Sequence, residues 1–204
     1  MRGFRPRRFL PLVVAVLAVL TACSSTRLVN QWSNPEYTGR SFNRVMVIGV
    51  AKQESIRRTF EDEFVDQLKA AGVDAVPSYQ YIPEAGPVEE GRLGQAVTQA
   101  KANAVIITRL VRREQKTEVT PGFYQPPVGL GFYGWYSAGW VGYYEPPRVY
   151  QYDVYISETS LYDTAKNQLI WSGTAETTAP GDIDKEIKSY AAIMIAALKE
   201  KNLI

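Results

Sequence analysis

The residues available for chemistry are few. The chain has no histidine and a single cysteine, Cys23, in 204 residues. Without histidine there is no side chain that changes charge near neutral pH unaided, and Ser-His-Asp, Cys-His and zinc-protease arrangements are excluded. Catalysis would fall to carboxylates, lysine or tyrosine. Glu61, Asp62 and Glu63 cluster, but consecutive helical residues point in different directions. Arg57 with Glu61 and Arg58 with Asp62 stand at i,i+4, the spacing of surface ion pairs on a helix. Asp182, Asp184 and Glu186 read as a helix start favoured by the macrodipole, since the glycine and terminal glutamate of a calcium loop are missing. Gly49-Val50-Ala51-Lys52 lacks both glycine spacings that wrap backbone amides around phosphates, and Gly91 and Gly94 supply neither. The expectation is a protein that is not an enzyme, with no metal and no cofactor. A carboxylate-based hydrolase is the weakest of the alternatives.

Cys23 has a telling context. Arg2, Arg5, Arg7 and Arg8 form a positive start, Phe9 to Leu20 an apolar stretch, and small residues precede the cysteine, which is the anatomy of a cleaved signal peptide over residues 1–22. A retained transmembrane helix needs about 20 apolar residues, more than this run interrupted by Pro11 provides. Arg7-Arg8 hints at a twin-arginine signal, but the residues that follow fit ordinary secretion better.

The Leu20-Thr21-Ala22-Cys23 sequence resembles the lipobox of bacterial prolipoproteins. That resemblance implies diacylglycerol on the Cys23 thiol, cleavage after Ala22 and acylation of the new amine, typically with palmitate. Two or more chains anchor stably where one is marginal. Ser24, where aspartate would retain a lipoprotein in the inner membrane of enterobacteria-like hosts, implies the outer membrane, with the domain facing the periplasm. The lipid on Cys23 would be the only covalently held group, and with that thiol capped no disulfide can form.

Loss of residues 1–22 removes four arginines and no acid, taking the 23 basic and 21 acidic residues to 19 and 21, a net charge of −2. A near-neutral domain lacks the basic stripe of a nucleic-acid binder, so no nucleic acid is expected as a partner. Its 182 remaining residues suffice for one domain with a sizeable core.

The elements that must position any site follow from periodicity. Residues 23–43 read as the lipidated cysteine and a polar tether holding Pro35 and Gly39, with Trp32 and Tyr37 able to dock. Arg44 to Val50 is a buried strand. Ile56, Phe60, Phe64, Leu68 and Ala71 recur as the core face of a helix that Gly72 stops. Asp74 to Tyr79 is a second strand, Leu93, Ala96, Val97 and Ala100 mark a second helix, and Asn103 to Leu110 is a third strand. Val149 to Leu161 alternates, with Tyr150, Tyr152, Val154 and Ile156 on one face, and pairs with Gln168 to Thr177 as a hairpin across Asp163 to Asn167. A helix capped near Asp182 carries Ile183, Ile187, Tyr190, Ala191, Met194 and Leu198. The fold class is α/β, a single domain over 44–204 with a mixed sheet in the order β-α-β-α-β-β-β-α and helices packed on it.

That order is similar to the domain shared by the N-terminal part of TolB, the curli-secretion channel lipoprotein and the lipoproteins that activate penicillin-binding proteins. Trp32-Ser33-Asn34-Pro35 ahead of Val45-Met46-Val47-Ile48-Gly49 also resembles uncharacterised Gram-negative outer-membrane lipoproteins. The resemblance implies an assembly or regulatory role in the envelope. No functional residues are carried over from it.

One segment departs from an ordinary connection. Residues 121–148 hold nine aromatics, six glycines and five prolines, with only Glu145 and Arg148 charged. Strand-like residues flank it, so it reads as an insertion at the tip of an antiparallel ribbon leaving the sheet. Two readings stay open: a partly disordered tip folded back over the sheet, or a contact surface, since tyrosine and tryptophan suit interfaces, membrane boundaries and sugar stacking. Tyr133, Trp135, Tyr136, Trp140, Tyr143 and Tyr144 are the candidate binding residues. The expected function is a membrane-anchored, non-enzymatic binding or scaffold module that contacts an envelope protein. A peptidoglycan- or glycan-binding module is the alternative.

Overall fold

The computed structural model describes residues 25–39, 41–125, 131–139, 143–178 and 181–204. The predicted signal peptide and Cys23 lie outside the described residues. The strands are β1 (Thr26–Ser33), β2 (Arg44–Val50), β3 (Asp74–Pro77), β4 (Ala104–Thr120), β5 (Phe123–Gln125), β6 (Tyr143–Glu145), β7 (Arg148–Asp163) and β8 (Gln168–Thr178). The helices are α1 (Glu54–Ala70), α2 (Glu90–Gln99), α3 (Phe132–Gly139) and α4 (Ile183–Glu200).

Six strands form one sheet in the order β1-β8-β7-β4-β2-β3. β2 runs parallel to β3 and β4, and the remaining neighbours are antiparallel. This is the expected mixed α/β sheet, with β2, α1, β3, α2, β4, β7, β8 and α4 supplying the predicted succession. In β2 the side chains alternate between two cores: Val45 and Val47 face α1 and α4, and Met46 faces α2 through Ala96 and Ala100. Covered on both faces, the strand reads as a continuous apolar run.

α1 buries Phe64, Val65 and Leu68. It stops as Gly72 predicts: at φ +88° the glycine turns the chain left-handed, its N–H donates to the Lys69 carbonyl and the Val73 N–H donates to that of Leu68. Phe64 is fully buried, so Phe64→Ala is expected to cost about 3–5 kcal/mol. In a domain of this size that lowers the melting temperature by roughly 10 °C. A thermal scan showing no change would mean that this face is not core.

The tether expected over residues 23–43 is corrected. Thr26–Ser33 is a strand at the sheet edge, paired antiparallel with β8 from Thr26 opposite Thr177 to Ser33 opposite Trp171. Thr26 is buried, Leu28 packs on the core and Gln31 accepts a hydrogen bond from the Trp171 indole at 3.2 Å. An edge strand with one wet face needs few apolar residues, and its partner lies about 150 positions away, so no local period shows it. Tyr37 stacks on Phe42 with ring centroids 5.6 Å apart, whereas Trp32 stays half exposed.

The face predicted for Tyr150, Tyr152, Val154 and Ile156 also divides. Val154 and Ile156 are buried, but Tyr150 is exposed, because it lies where the strands have left the sheet.

Candidate contact surface: a ribbon and its aromatic tip

β4 and β7 are far longer than the sheet they join. They stay paired from Ala104 opposite Asp163 to Thr120 opposite Arg148, with a shift between Leu110 and Arg112 that leaves Val111 as a bulge. Past the bulge β4 is almost wholly exposed. A bulge raises the local twist and bends the strand; β8 stays paired with β7 as far as Thr178 opposite Val154, and past the Glu114–Val154 pair β4 and β7 continue alone as a two-stranded ribbon.

Pro121 and Pro147, which lack an N–H for the ladder, interrupt the pairing. It then resumes in the same register, with Phe123 opposite Glu145, Tyr124 opposite Tyr144 and Gln125 opposite Tyr143. Gly122 is required at the interruption: a Cβ there would sit 2.9 Å from the Glu145 carbonyl oxygen and 2.9 Å from Pro147 Cδ. The glycines and prolines thus punctuate regular structure, and the segment carries β5, α3 and β6 where an irregular tip was expected.

Three aromatics on α3 are exposed. Phe132 is 78% exposed, Tyr133 85% and Tyr136 60%, and the first two rings meet edge to face at 5.2 Å. Of the predicted binding residues, Tyr133, Trp135 and Tyr136 share α3, and Tyr143 and Tyr144 open β6 on the ribbon below it. Trp140 lies outside the described residues, as does the predicted lipidation site. Phe132 was not among the candidates, although its neighbours were.

The charged residues near α1 form something other than the predicted surface pairs. Arg57 and Glu61 are buried, at 5% and 0% exposure. Glu61 accepts four hydrogen bonds: from Gly49 N at 2.9 Å, Arg57 Nε at 3.0 Å, Ser78 Oγ at 2.7 Å and Tyr79 N at 3.0 Å. Arg57 in turn donates to Ser78 Oγ and to the carbonyls of Ile82 and Glu84, each at 2.9 Å. Arg58 pairs with Glu54 at 2.7 Å and not with Asp62. Asp62 instead accepts from the Tyr79 hydroxyl, a bond that raises the phenol above its ordinary range, with burial adding to it.

A carboxylate so bonded ties α1 to the end of β2 and to the turn after β3, and its full burial closes it to a substrate. Glu63 accepts from Gln67. Asp182 caps α4 as predicted, accepting from Asp184 N at 3.0 Å and Lys185 N at 3.3 Å. Glu186 accepts from Ser25 and Thr26. Burial pushes the Tyr190 phenol well up, while its hydroxyl joins a chain with Thr159 and Thr108. Each of these acids thus serves the packing. Among the described residues, no three acidic side chains are grouped so as to hold a metal, and no helix is long and apolar enough to cross a membrane.

Residues 91–200 match the model of a family described as a domain of unknown function, DUF4136. The chain belongs to that family. The DUF4136 region runs from α2 through α4 and so contains the whole ribbon and its tip, with β1, β2, α1 and β3 ahead of it. No curated protein matches the chain. Among solved structures, the PelC dodecamer from Paraburkholderia phytofirmans is similar at 14% identity and a TM-score of 0.45, over 83% of this chain and 94% of that one. Lipoprotein GNA1162 from Neisseria meningitidis is similar at 8% identity and 0.41, over 78% and 96%. A putative neuraminyllactose-binding hemagglutinin homolog from Helicobacter pylori is similar at 11% and 0.33, over 85% and 92%. The family shown is DUF4136; the TolB-type domain remains a likeness in element order.

Proposed function

We propose that this DUF4136 chain is a lipoprotein of the bacterial envelope. Anchored through Cys23 in the outer membrane and facing the periplasm, it is a non-enzymatic binding module for an envelope protein. The contact residues are Tyr133, Trp135, Tyr136, Trp140, Tyr143 and Tyr144, with Phe132 added. The observation that supports this most is the exposure of Phe132, Tyr133 and Tyr136 on one short helix at the end of a long ribbon. Exposed aromatics grouped in this way are an aggregation liability unless something binds them, and aromatic anchors carry much of the energy of protein interfaces. Of the predicted acidic clusters, Glu61, Glu63, Asp182 and Glu186 accept hydrogen bonds within the fold, which supports a role without catalysis.

The test has two parts. Cys23→Ser is expected to release the protein from the membrane fraction or leave it unprocessed; a processed variant that partitions like the wild type would refute the anchor. A photo-reactive residue at Tyr136 is expected to capture an envelope protein in living cells, and the same residue at Lys166 is not. Capture of murein alone would favour the glycan reading.

A further inference from the structure

The register of the sheet fixes which way the ribbon points relative to the anchor. The Ser25 carbonyl accepts a hydrogen bond from Thr178 N at 3.0 Å, Thr178 faces Val154 on β7, and Val154 faces Glu114 on β4. These four residues form one row across the sheet. Cys23 precedes Ser25 by two residues, so it lies within about 7 Å of that row even with the chain fully extended. β1 runs inward from this row, while β4 runs outward through Thr120 and β7 returns from Arg148. The six paired positions beyond the row span roughly 20 Å at the rise of an antiparallel strand, and β5, β6 and α3 lie beyond them. The lipid attachment point and the ribbon leave the same end of the sheet, and the ribbon reaches further.

The charge distribution says how the ribbon meets a bilayer. Its stem carries Lys116, Glu118 and Asp153, with Arg112, Arg113 and Glu114 at its root, and such charges are too costly to place in hydrocarbon. Beyond Val119 and Val149 the charged residues are Glu145 and Arg148, and these pair at 2.5 Å. Phe132, Tyr133 and Tyr136 stand exposed past them. A charged stem with an uncharged aromatic end matches the headgroup region, where amphipathic rings concentrate.

We propose that the aromatic tip seats in the headgroup region of the same bilayer that holds the Cys23 lipid, the ribbon lying along the membrane surface. This rests on the anchoring reading above and specifies the first surface the tip meets; an envelope protein captured there is one that lies in the same membrane. The stem's balanced charge makes the contact insensitive to salt and to anionic lipid.

The test uses the full lipidated chain in zwitterionic phosphatidylcholine vesicles. With Cys23 capped by lipid, a new cysteine is the only free thiol for an environment-sensitive fluorophore. Gly131→Cys places the label beside α3, where an added Cβ meets nothing within 4 Å, and Lys166→Cys places it at the opposite end of the sheet. The expected result is a blue-shifted emission at 131, quenched by lipids carrying doxyl groups and shielded from aqueous iodide, unchanged in high salt, with the reverse at 166. Adding Tyr133→Ala and Tyr136→Ala is expected to shift the emission at 131 back to the red.

If the protein floats with the vesicles but position 131 is as open to iodide as 166, the anchor stands and the tip proposal falls. If the protein takes up a second label at Cys23 and does not float, the anchoring reading has failed and the proposal fails with it. Shielding of 131 in cells but not in pure lipid would assign the tip to a protein and overturn the membrane contact.

Discussion

Glu61→Ala is expected to destabilise the domain by about 3–5 kcal/mol, because removing one partner of a buried ion pair leaves Arg57 only a longer, 3.7 Å contact with the partly exposed Glu54. That is a large part of the roughly 5–15 kcal/mol that holds a typical domain folded. Arg57 would lose its Nε acceptor, and Ser78 Oγ and the N–H groups of Gly49 and Tyr79 would lose theirs. For the same reason the double variant Arg57→Leu with Glu61→Leu should not recover wild-type stability. It removes the stranded charge but still orphans two backbone donors, at about 1–3 kcal/mol each. Urea unfolding of both variants measures this. A Glu61→Ala protein within about 0.5 kcal/mol of wild type, the usual range of a neutral surface substitution, would show that water replaces the carboxylate at no cost.

Removing the tip should have the opposite profile, with binding lost and the fold kept. Because Thr120 faces Arg148, replacing residues 121–147 by Asn-Gly closes the ribbon with a two-residue turn of the favoured hairpin type. Loop-closure entropy changes slowly with length, and among the described residues the two cores on which α1, α2 and α4 pack include none of 121–147. Far-UV circular dichroism should lose only the short elements of the tip, and the unfolding midpoint should stay within error. Capture of a partner from position 150, which faces Glu118 two positions from the new turn, should be lost relative to the full-length ribbon. If the variant unfolds, the tip folds back on the root, where Val154 and Ile156 are buried, and it is then packing and not a contact surface.

Much of this architecture is local and therefore legible along the chain. The stripe through Phe64 and Leu68, the left-handed stop at Gly72 and the cap at Asp182 depend on neighbours within about one helical turn. β2 declares itself because both its faces are covered. The departing ribbon shows as a strand pattern that turns polar on both sides before the aromatic segment, and that segment was recognisable by composition as the candidate site.

What escaped is what depends on residues far apart. β1 has no apolar run, since an edge strand buries one face only, and its ladder is made with residues on the other side of the chain. Arg57 and Glu61 have the spacing of a surface pair, and only the arrival of Gly49, Ser78, Tyr79 and Ile82 from other elements turns them into a buried clamp. The exposure of Phe132 beside Tyr133 was likewise invisible, because composition does not orient a ring. The sequence by itself determined the α/β class, the helices, the lipobox resemblance at Cys23 and the aromatic insertion, all carried by short-range pattern. The tertiary structure alone decided that the chain after Cys23 enters the sheet at once and that the ribbon leaves by the same end, because strand register is set by pairing across the sheet and not by any local run of residues.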